Sequence, residues 1–282
     1  MVKPADKRKI IKYLLNEKNL SIRKSCRLIK LNRKNYKYIS KKNDENLTKK
    51  INYWAQKKKK YGYRRIHILL QRDGENVNHK KVYRIYKQEN LSVRKPKRKK
   101  IKAMKRENIL TPIMPNQLWT MDFVSDSLAC GRKFRTLNIL DVFTRRCLAI
   151  EVDTSLSGLR VARVLDEVVK RYGKPMIIRI DNGSEFTSKV FDAWAYQNKI
   201  GLDFIQPGRP TQNGFIESFN DKFRNECLNE HWFLTLNEAR DLIEEFRQDY
   251  NDFRPHSSLN NLTPNEFLDK FKKENTNSKL VA

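Results

Sequence analysis

The positive charge of this chain is confined to one end, and that restricts where a large core can form. Residues 1–110 hold 37 Lys and Arg against 8 Asp and Glu, a net of +29; the remaining 172 residues hold 23 against 24, a net of −1. A stretch that basic stays extended by self-repulsion or binds a polyanion. Its basic residues interleave with periodic apolar ones instead of forming a tail, which favours nucleic acid over a merely solvated lysine face. The near-neutral remainder is long enough for one globular core.

The basic region is expected to hold a pair of helical modules. In residues 1–45, Ile10, Ile11, Leu14 and Leu15 make one apolar stripe. Ser21 is placed to cap a second helix carrying Ile22, Cys26 and Leu28 or Ile29. A turn near residues 30–32 leads to a third helix with Tyr36 and Ile39, which also carries Arg33, Lys34 and Lys37. Two short helices with a basic second member form the helix-turn-helix pattern, although any small three-helix bundle gives the same stripes. In residues 46–93 the pattern is cleaner. Ile66, Leu69 and Leu70 share a stripe beside Arg64 and Arg65, Asp73-Gly74 breaks it, and Asn78 is placed to cap a helix with Val82, Ile85, Tyr86 and Glu89 at i, i+3, i+4 and i+7. That helix offers His79, Lys80, Lys81, Arg84 and Lys87 to phosphates. Residues 94–115 are too charged to pack and read as a basic linker that orders on DNA, closed by Pro112 and Pro115.

Residues 116–272 read as a core of the α/β class. Alternation over 118–124 puts Trp119, Met121 and Phe123 on one face and Thr120, Asp122 and Val124 on the other. Strands near 133–142 and 146–153 follow, then a helix near 158–171 stopped by Gly173 and Pro175. A buried strand at 176–180, a helix near 187–199, a strand near 202–206, a helix bearing Glu217 and an amphipathic helix through Ala239, Ile243, Phe246 and Tyr250 complete it. Residues 273–282 are expected to be a disordered tail. Three antiparallel strands followed by alternating helices and strands describe a layered sheet flanked by helices.

Three carboxylates stand out in this frame: Asp122 inside a central strand, Asp181 at the carboxyl end of another, where ligands bind in such sheets, and Glu217 on a helix able to cross that edge. An aspartate on the inner side of a strand is costly to bury unpaired. Mg²⁺ neutralises such a group and keeps positions for water and phosphate. Two ions ~3.5–4 Å apart, with Mn²⁺ as a substitute, clamp the attacking and leaving oxygens of a phosphoryl displacement. Asp122 is expected to bridge both ions, with Asp181 and Glu217 completing one shell each. Taken singly, each is more simply a surface acid or a turn residue. Asp126, Asp141 and Glu185 are the nearest rivals, Asp141 as an outer support and Glu185 as a residue orienting water or DNA. Asn213, Glu217 and Asn220 share a helix face that Arg224 extends, which suits contacts to a DNA backbone; capping by Asn213 is the alternative.

The cysteines Cys26, Cys130, Cys147 and Cys227 stand alone, and His67, His79, His231 and His256 form no zinc-finger spacing. No apolar run approaches the ~18–20 residues of a membrane span. A reduced cytoplasmic protein on the nucleoid is expected, with no membrane partner.

Six stretches together carry a family resemblance: Tyr61-Gly62-Tyr63-Arg64-Arg65-Ile66, Trp119-Thr120-Met121-Asp122-Phe123, Asp181-Asn182-Gly183-Ser184-Glu185-Phe186, Pro207-Gly208-Arg209-Pro210-Thr211-Gln212-Asn213, Phe215-Ile216-Glu217-Ser218-Phe219-Asn220, and Tyr250 through Leu259 with its Arg254-Pro255-His256-Ser257-Ser258. From about Lys7 to Asp269 the chain resembles the downstream-frame transposases of two-reading-frame bacterial insertion sequences. These are integrase-type DDE enzymes whose core is similar to ribonuclease H and retroviral integrase. The resemblance implies a ribonuclease H-like mixed sheet and a catalytic triad of Asp122, Asp181 and Glu217. It implies Mg²⁺-dependent cleavage and strand transfer at the ends of an element, in a multimer on double-stranded DNA. It also implies an upstream-frame protein, or its frameshift fusion, as partner, and Met1 is expected to begin directly at the downstream module. The chain lacks the His-His-Cys-Cys set of retroviral integrases. Two rivals remain: a DNA-binding regulator with an inert core, and a ribonuclease H-like nuclease that never joins ends. His256 either touches DNA or caps the final helix.

Overall fold

The computed structural model describes residues 4–38, 44–93, 111–206 and 210–280. Ile39, most of the expected linker, the Pro207-Gly208-Arg209 stretch and the last two residues lie outside the described residues. The chain divides into two compact units, Met1–Lys50 and Ile51–Ala282.

The first unit holds α1 (Pro4–Lys18), α2 (Ile22–Leu28) and α3 (Arg33–Tyr36). Ser21 caps α2 by accepting from the Lys24 amide (3.4 Å), and Asn32 caps α3 by accepting from Lys34 (2.9 Å). Ile11, Cys26 and Leu31 form its small core, against which Leu15, Ile29 and Tyr36 pack. Ile10 of the expected stripe is turned outward. The division between units falls inside α4 (Glu45–Lys57), a helix not anticipated from the sequence, which buries Leu47, Ile51 and Trp54 along one stripe.

The second unit opens with α5 (Tyr63–Arg72) and α6 (His79–Gln88), where Asn78 caps α6 by accepting from the Lys80 amide (2.8 Å). Ile66, Leu69, Leu70, Val82 and Ile85 are buried as the periodicity required. This pair is not free-standing. Arg72 of α5 donates to Glu266 (2.8 Å) and to the Asn261 carbonyl (3.2 Å), and Trp54 of the preceding helix lies tilted against Phe253 at 5.7 Å between ring centroids.

The sheet has the order β3-β2-β1-β4-β5, from β1 (Leu118–Ser127), β2 (Lys133–Asp141), β3 (Cys147–Asp153), β4 (Ile177–Ile180) and β5 (Gly201–Phe204). The first three strands are antiparallel; β4 and β5 run parallel to β1. This mixed sheet is the ribonuclease H-like order. Alternation along β1 sorts its side chains to two cores. Trp119 and Met121, with Leu137, Ile139, Ile178 and Ile180, pack against α7 (Gly158–Tyr172) and α8 (Lys189–Gln197). Val124, Phe134 and Leu140 pack on the opposite side with Ile216, Phe219 and Phe223 of α9 (Gly214–Glu226) and with Ile243 and Tyr250 of α10 (Leu236–Asp252). Gly173, at φ +89°, ends α7 as expected. The final helix α11 (Pro264–Leu280) runs through residues 273–280, where the sequence suggested a disordered tail. No helix among the described residues is long and apolar enough to cross a membrane.

Candidate active site

Asp122 sits mid-way along β1, the central strand, on the face that meets α9. The register that pairs Leu118 with Ile177 and Thr120 with Arg179 brings Asp181, the first residue past β4, level with Asp122. In-register residues of parallel strands point to the same face, so the two aspartates share one sheet edge. Helix α9 runs alongside. Asn213 at its N-terminus accepts from the Thr120 hydroxyl, Asn220 Nδ2 donates to Asp122 Oδ2 at 2.7 Å, and Arg224 donates to the Ser125 carbonyl at 2.8 Å. These rungs advance together along helix and strand. Glu217 lies on the same helix face between the first two, and as a residue it is largely exposed.

Asp122 is thoroughly oriented. Its Oδ1 accepts from the Phe123 amide (2.8 Å) and its Oδ2 from Asn220. Asn220 in turn accepts from Asn138 Nδ2 (2.7 Å), the β2 residue paired with Asp122, and Asn138 accepts from the Thr136 hydroxyl (3.1 Å). Burial pushes the Asp122 carboxyl up to about 6, with the charges of Asp181 and Glu217 acting in the same direction. Glu217 is also raised, by burial and by Asp221.

The loop after β4 is pinned on three sides. The Gly183 amide donates to Asp181 Oδ1 (3.0 Å), Asn182 donates to the Ile205 carbonyl (2.9 Å), and Phe186 is fully buried against Phe123, stacked at 4.8 Å. A Cβ on Gly183 would stand 3.0 Å from Asp181 Oδ1, so this position favours a residue without one. Glu185 is ion-paired with Arg135 of β2 and accepts from the Ser184 hydroxyl (2.9 Å). The Arg135 bond lowers its pKa. Glu185 therefore ties the loop to the sheet. Asp141 is 2 % exposed and spends its oxygens on the Asn116 amide and on Thr144 (2.7–2.8 Å). It closes the β2–β3 turn and is no support for Asp122. Asp126 lies 3.9 Å from Arg224.

The three carboxylates are hard oxygen donors from the middle of one strand, the end of its neighbour and one facing helix. Among the described residues, no group of three or more His, Cys, Asp or Glu is gathered closely enough to hold a metal as it stands. Asp181 and Glu217 are both exposed, whereas Asp122 is half-buried.

Comparison with known proteins gives the arrangement its context. Family models described as an integrase core domain match residues 112–210 and 198–264, and one described as an HTH-like domain matches residues 41–100. An uncharacterized 31.7 kDa protein of insertion element IS407 from Burkholderia multivorans is 46 % identical over 254 residues, 89 % of this chain and 92 % of that protein. A 39.2 kDa protein of insertion element IS476 from Xanthomonas euvesicatoria is 43 % identical over 98 % of this chain and 80 % of its own length. The putative transposase InsK of IS150 from Escherichia coli is 25 % identical over 74 % of this chain and 77 % of that protein.

The chain belongs to the integrase-core transposases of insertion elements. It is thus an enzyme of the DDE polynucleotidyl-transferase class, with an HTH-like domain ahead of its core.

The transposase uses several residues singled out for DNA contact within its own fold. Asn213 is buried and Asn220 half-buried, each bonded to a side chain of β1, and Asn213 makes no side-chain cap. Arg224 bonds the β1 backbone. Arg65 lies 3.4 Å from Glu226, which also takes two bonds from Arg254 (2.6 and 2.7 Å). Arg33, Lys34, Lys37, Arg64, Lys80, Lys81 and Lys87 are on the surface of their helices, and Arg84 is partly covered. His256 is buried, edge-on to Tyr250 at 4.7 Å, and does not cap the last helix. Asn138 and Arg135 are the residues that reading the sequence missed. A polar residue at an inward position of a strand, as Asn138 is, was the available signal.

Proposed function

We propose that this transposase cuts one strand at an element end and transfers it to the other end, the resulting circle being integrated later, with Asp122, Asp181 and Glu217 holding two divalent cations, Mg²⁺ in the first place and Mn²⁺ as a substitute. The observation that carries this reading is the level placement of Asp122 and Asp181 on β1 and β4, beneath a helix that presents Glu217 and is fastened to Asp122 through Asn220. The donor chemistry fits such ions: three oxygen ligands, no competing soft ligand, and a central carboxyl that burial and like charge hold near 6 until a cation offsets them. Bound divalent cations supply Lewis acidity to the scissile phosphate and lower the pKa of the attacking hydroxyl or water.

The chain's own residues do the positioning. Asn220 fixes the Asp122 carboxylate through the Asn138–Thr136 relay. The Glu185–Arg135 pair and the buried Phe186 hold the Asp181 loop. Glu217, exposed at the first turn of α9, has the freedom to close on the other two. Lys80, Lys81, Arg84 and Lys87 of α6, Arg64 of α5 and Arg33, Lys34 and Lys37 of the first unit supply the phosphate contacts that hold the element end. Two ends must be joined, so the active form is a multimer on DNA, with an upstream-frame protein or its fusion as partner. Cleavage and joining of an oligonucleotide carrying the element end, lost in Glu217→Gln with duplex binding retained, tests this reading. Loss of binding to the same degree would contradict it.

A further inference from the structure

Helix α9 has a second stripe that the carboxylates do not use. Gly214, Ser218 and Lys222, four residues apart, line a cavity of about 340 Å³ together with Arg145, Tyr250 and His256. Its polar groups are incompletely satisfied. Lys222 Nζ donates to the carbonyl and the hydroxyl (2.7 Å) of Ser218, which leaves its third N–H. His256 is 6 % exposed, and its Nε2 is buried without any hydrogen-bond partner. Arg145 lies with its guanidinium 3.8 Å from the Phe215 ring centroid at the same cavity wall.

The local charge is positive. Arg254, Lys222, Arg65 and Arg145 all act on His256, and burial together with these cations keeps the ring neutral, pushed down to about 2. Burial and Arg254 bring Lys222 down to about 8. Glu226 and Asp221 are the anions within reach of Lys222, and Glu226 is already bonded to Arg254. A cavity with two cations on its wall, an unpartnered ring nitrogen and two hydroxyl-bearing residues, Ser218 and Ser258, suits a tetrahedral oxyanion with several acceptor oxygens.

We propose that this cavity seats one backbone phosphate of the DNA strand engaged at the carboxylates, with Lys222, Arg145 and His256 Nε2 as its donors. Ser218 directly follows Glu217, so the same helix turn presents a metal ligand to one phosphate and the cavity to a neighbouring one. The proposal rests on the strand-transferase reading above. It adds a register-setting contact on the flank of α9, separate from the surface lysines of the helical modules.

A methylphosphonate scan tests it. Single phosphates of an element-end duplex are neutralised in turn, and binding of the full chain is measured against salt. Wild type should lose affinity several-fold at one position where Lys222→Met loses none. The log–log salt slope of Lys222→Met should be shallower by about 0.9, one phosphate. His256→Gln should be silent at the same position, which guards against a folding defect in one variant. Equal losses at every position in all three proteins would overturn the proposal while leaving the proposed function standing. Thermal stabilisation by inorganic phosphate without any silent position would assign the cavity to a free oxyanion and equally overturn it. Failure of wild type to bind the duplex even at low salt would remove the functional reading and this contact with it.

Discussion

Asn220→Ala should move the acid limb of activity rather than simply lower the rate. Asn220 Nδ2 donates to Asp122 Oδ2 at 2.7 Å, and a hydrogen bond to a charged group contributes roughly 1.5–3 kcal/mol. At about 1.4 kcal/mol per pKa unit, its removal raises the Asp122 carboxyl by roughly one to two units from its value of about 6. Asp122 must be ionised to hold a cation, so strand cleavage should fall as pH drops through a midpoint one to two units above that of wild type. Near pH 6.5 the variant should be roughly three- to twenty-five-fold slower, for a shift of one to two units. Near pH 9 it should approach wild type, and excess Mg²⁺ should draw the limb back by competing with protons. Asn138→Ala, one bond further out, should give a smaller shift in the same direction. The assay is cleavage of a labelled element-end oligonucleotide across this range. An equal loss at every pH, with the limb unmoved, would refute the argument that Asn220 tunes Asp122.

Three further outcomes are expected. The Asp122 carboxyl is raised from 3.8 to about 6 in the fold, so the metal-free folded state holds an extra proton between those values; stability relative to Asp122→Asn should fall by up to about 3 kcal/mol as pH rises through that window, as read by chemical denaturation, and divalent cation should restore it. Glu226→Gln strips the counter-charge from Arg254, which is 1 % exposed, and should cost about 3–5 kcal/mol. Burial opposes ionisation of Glu226, yet the Arg254 bonds outweigh it and its pKa is lowered, so its stabilisation is present above the ordinary glutamate value and is lost as pH falls through the lower folded one; a pH-independent penalty in the variant would contradict this. Gly183→Ala puts a methyl 3.0 Å from Asp181 Oδ1 and should raise the Mg²⁺ concentration needed for half-maximal cleavage with little change in melting temperature; an unchanged metal requirement would show that the loop accommodates it.

Much of the core was legible because alternation and capping are local. The split of Trp119 and Met121 from Thr120 and Asp122 fixed the two faces of β1, and Ser21, Asn78 and Gly173 act at helix ends where expected. Charge was a poorer guide to partners. Arg65 looked like a phosphate contact, yet the fold carries it to Glu226, 161 positions away, a pairing that no local pattern encodes. Asn213 and Asn220 were grouped correctly on one helix face, but only the packing of α9 along β1 shows that they serve Thr120 and Asp122. Helix α4 carries Leu47, Ile51 and Trp54 at i, i+4 and i+7, a stripe as local as the others, whereas the last turns of the final helix hold too few apolar residues to show one.

The most direct test is strand cleavage and joining on an oligonucleotide carrying the element's own end, with Mg²⁺, for wild type beside Glu217→Gln. Joined product from wild type alone, with both proteins binding the duplex alike, is the predicted result. Joining by Glu217→Gln at the wild-type rate would contradict the assignment of the three carboxylates.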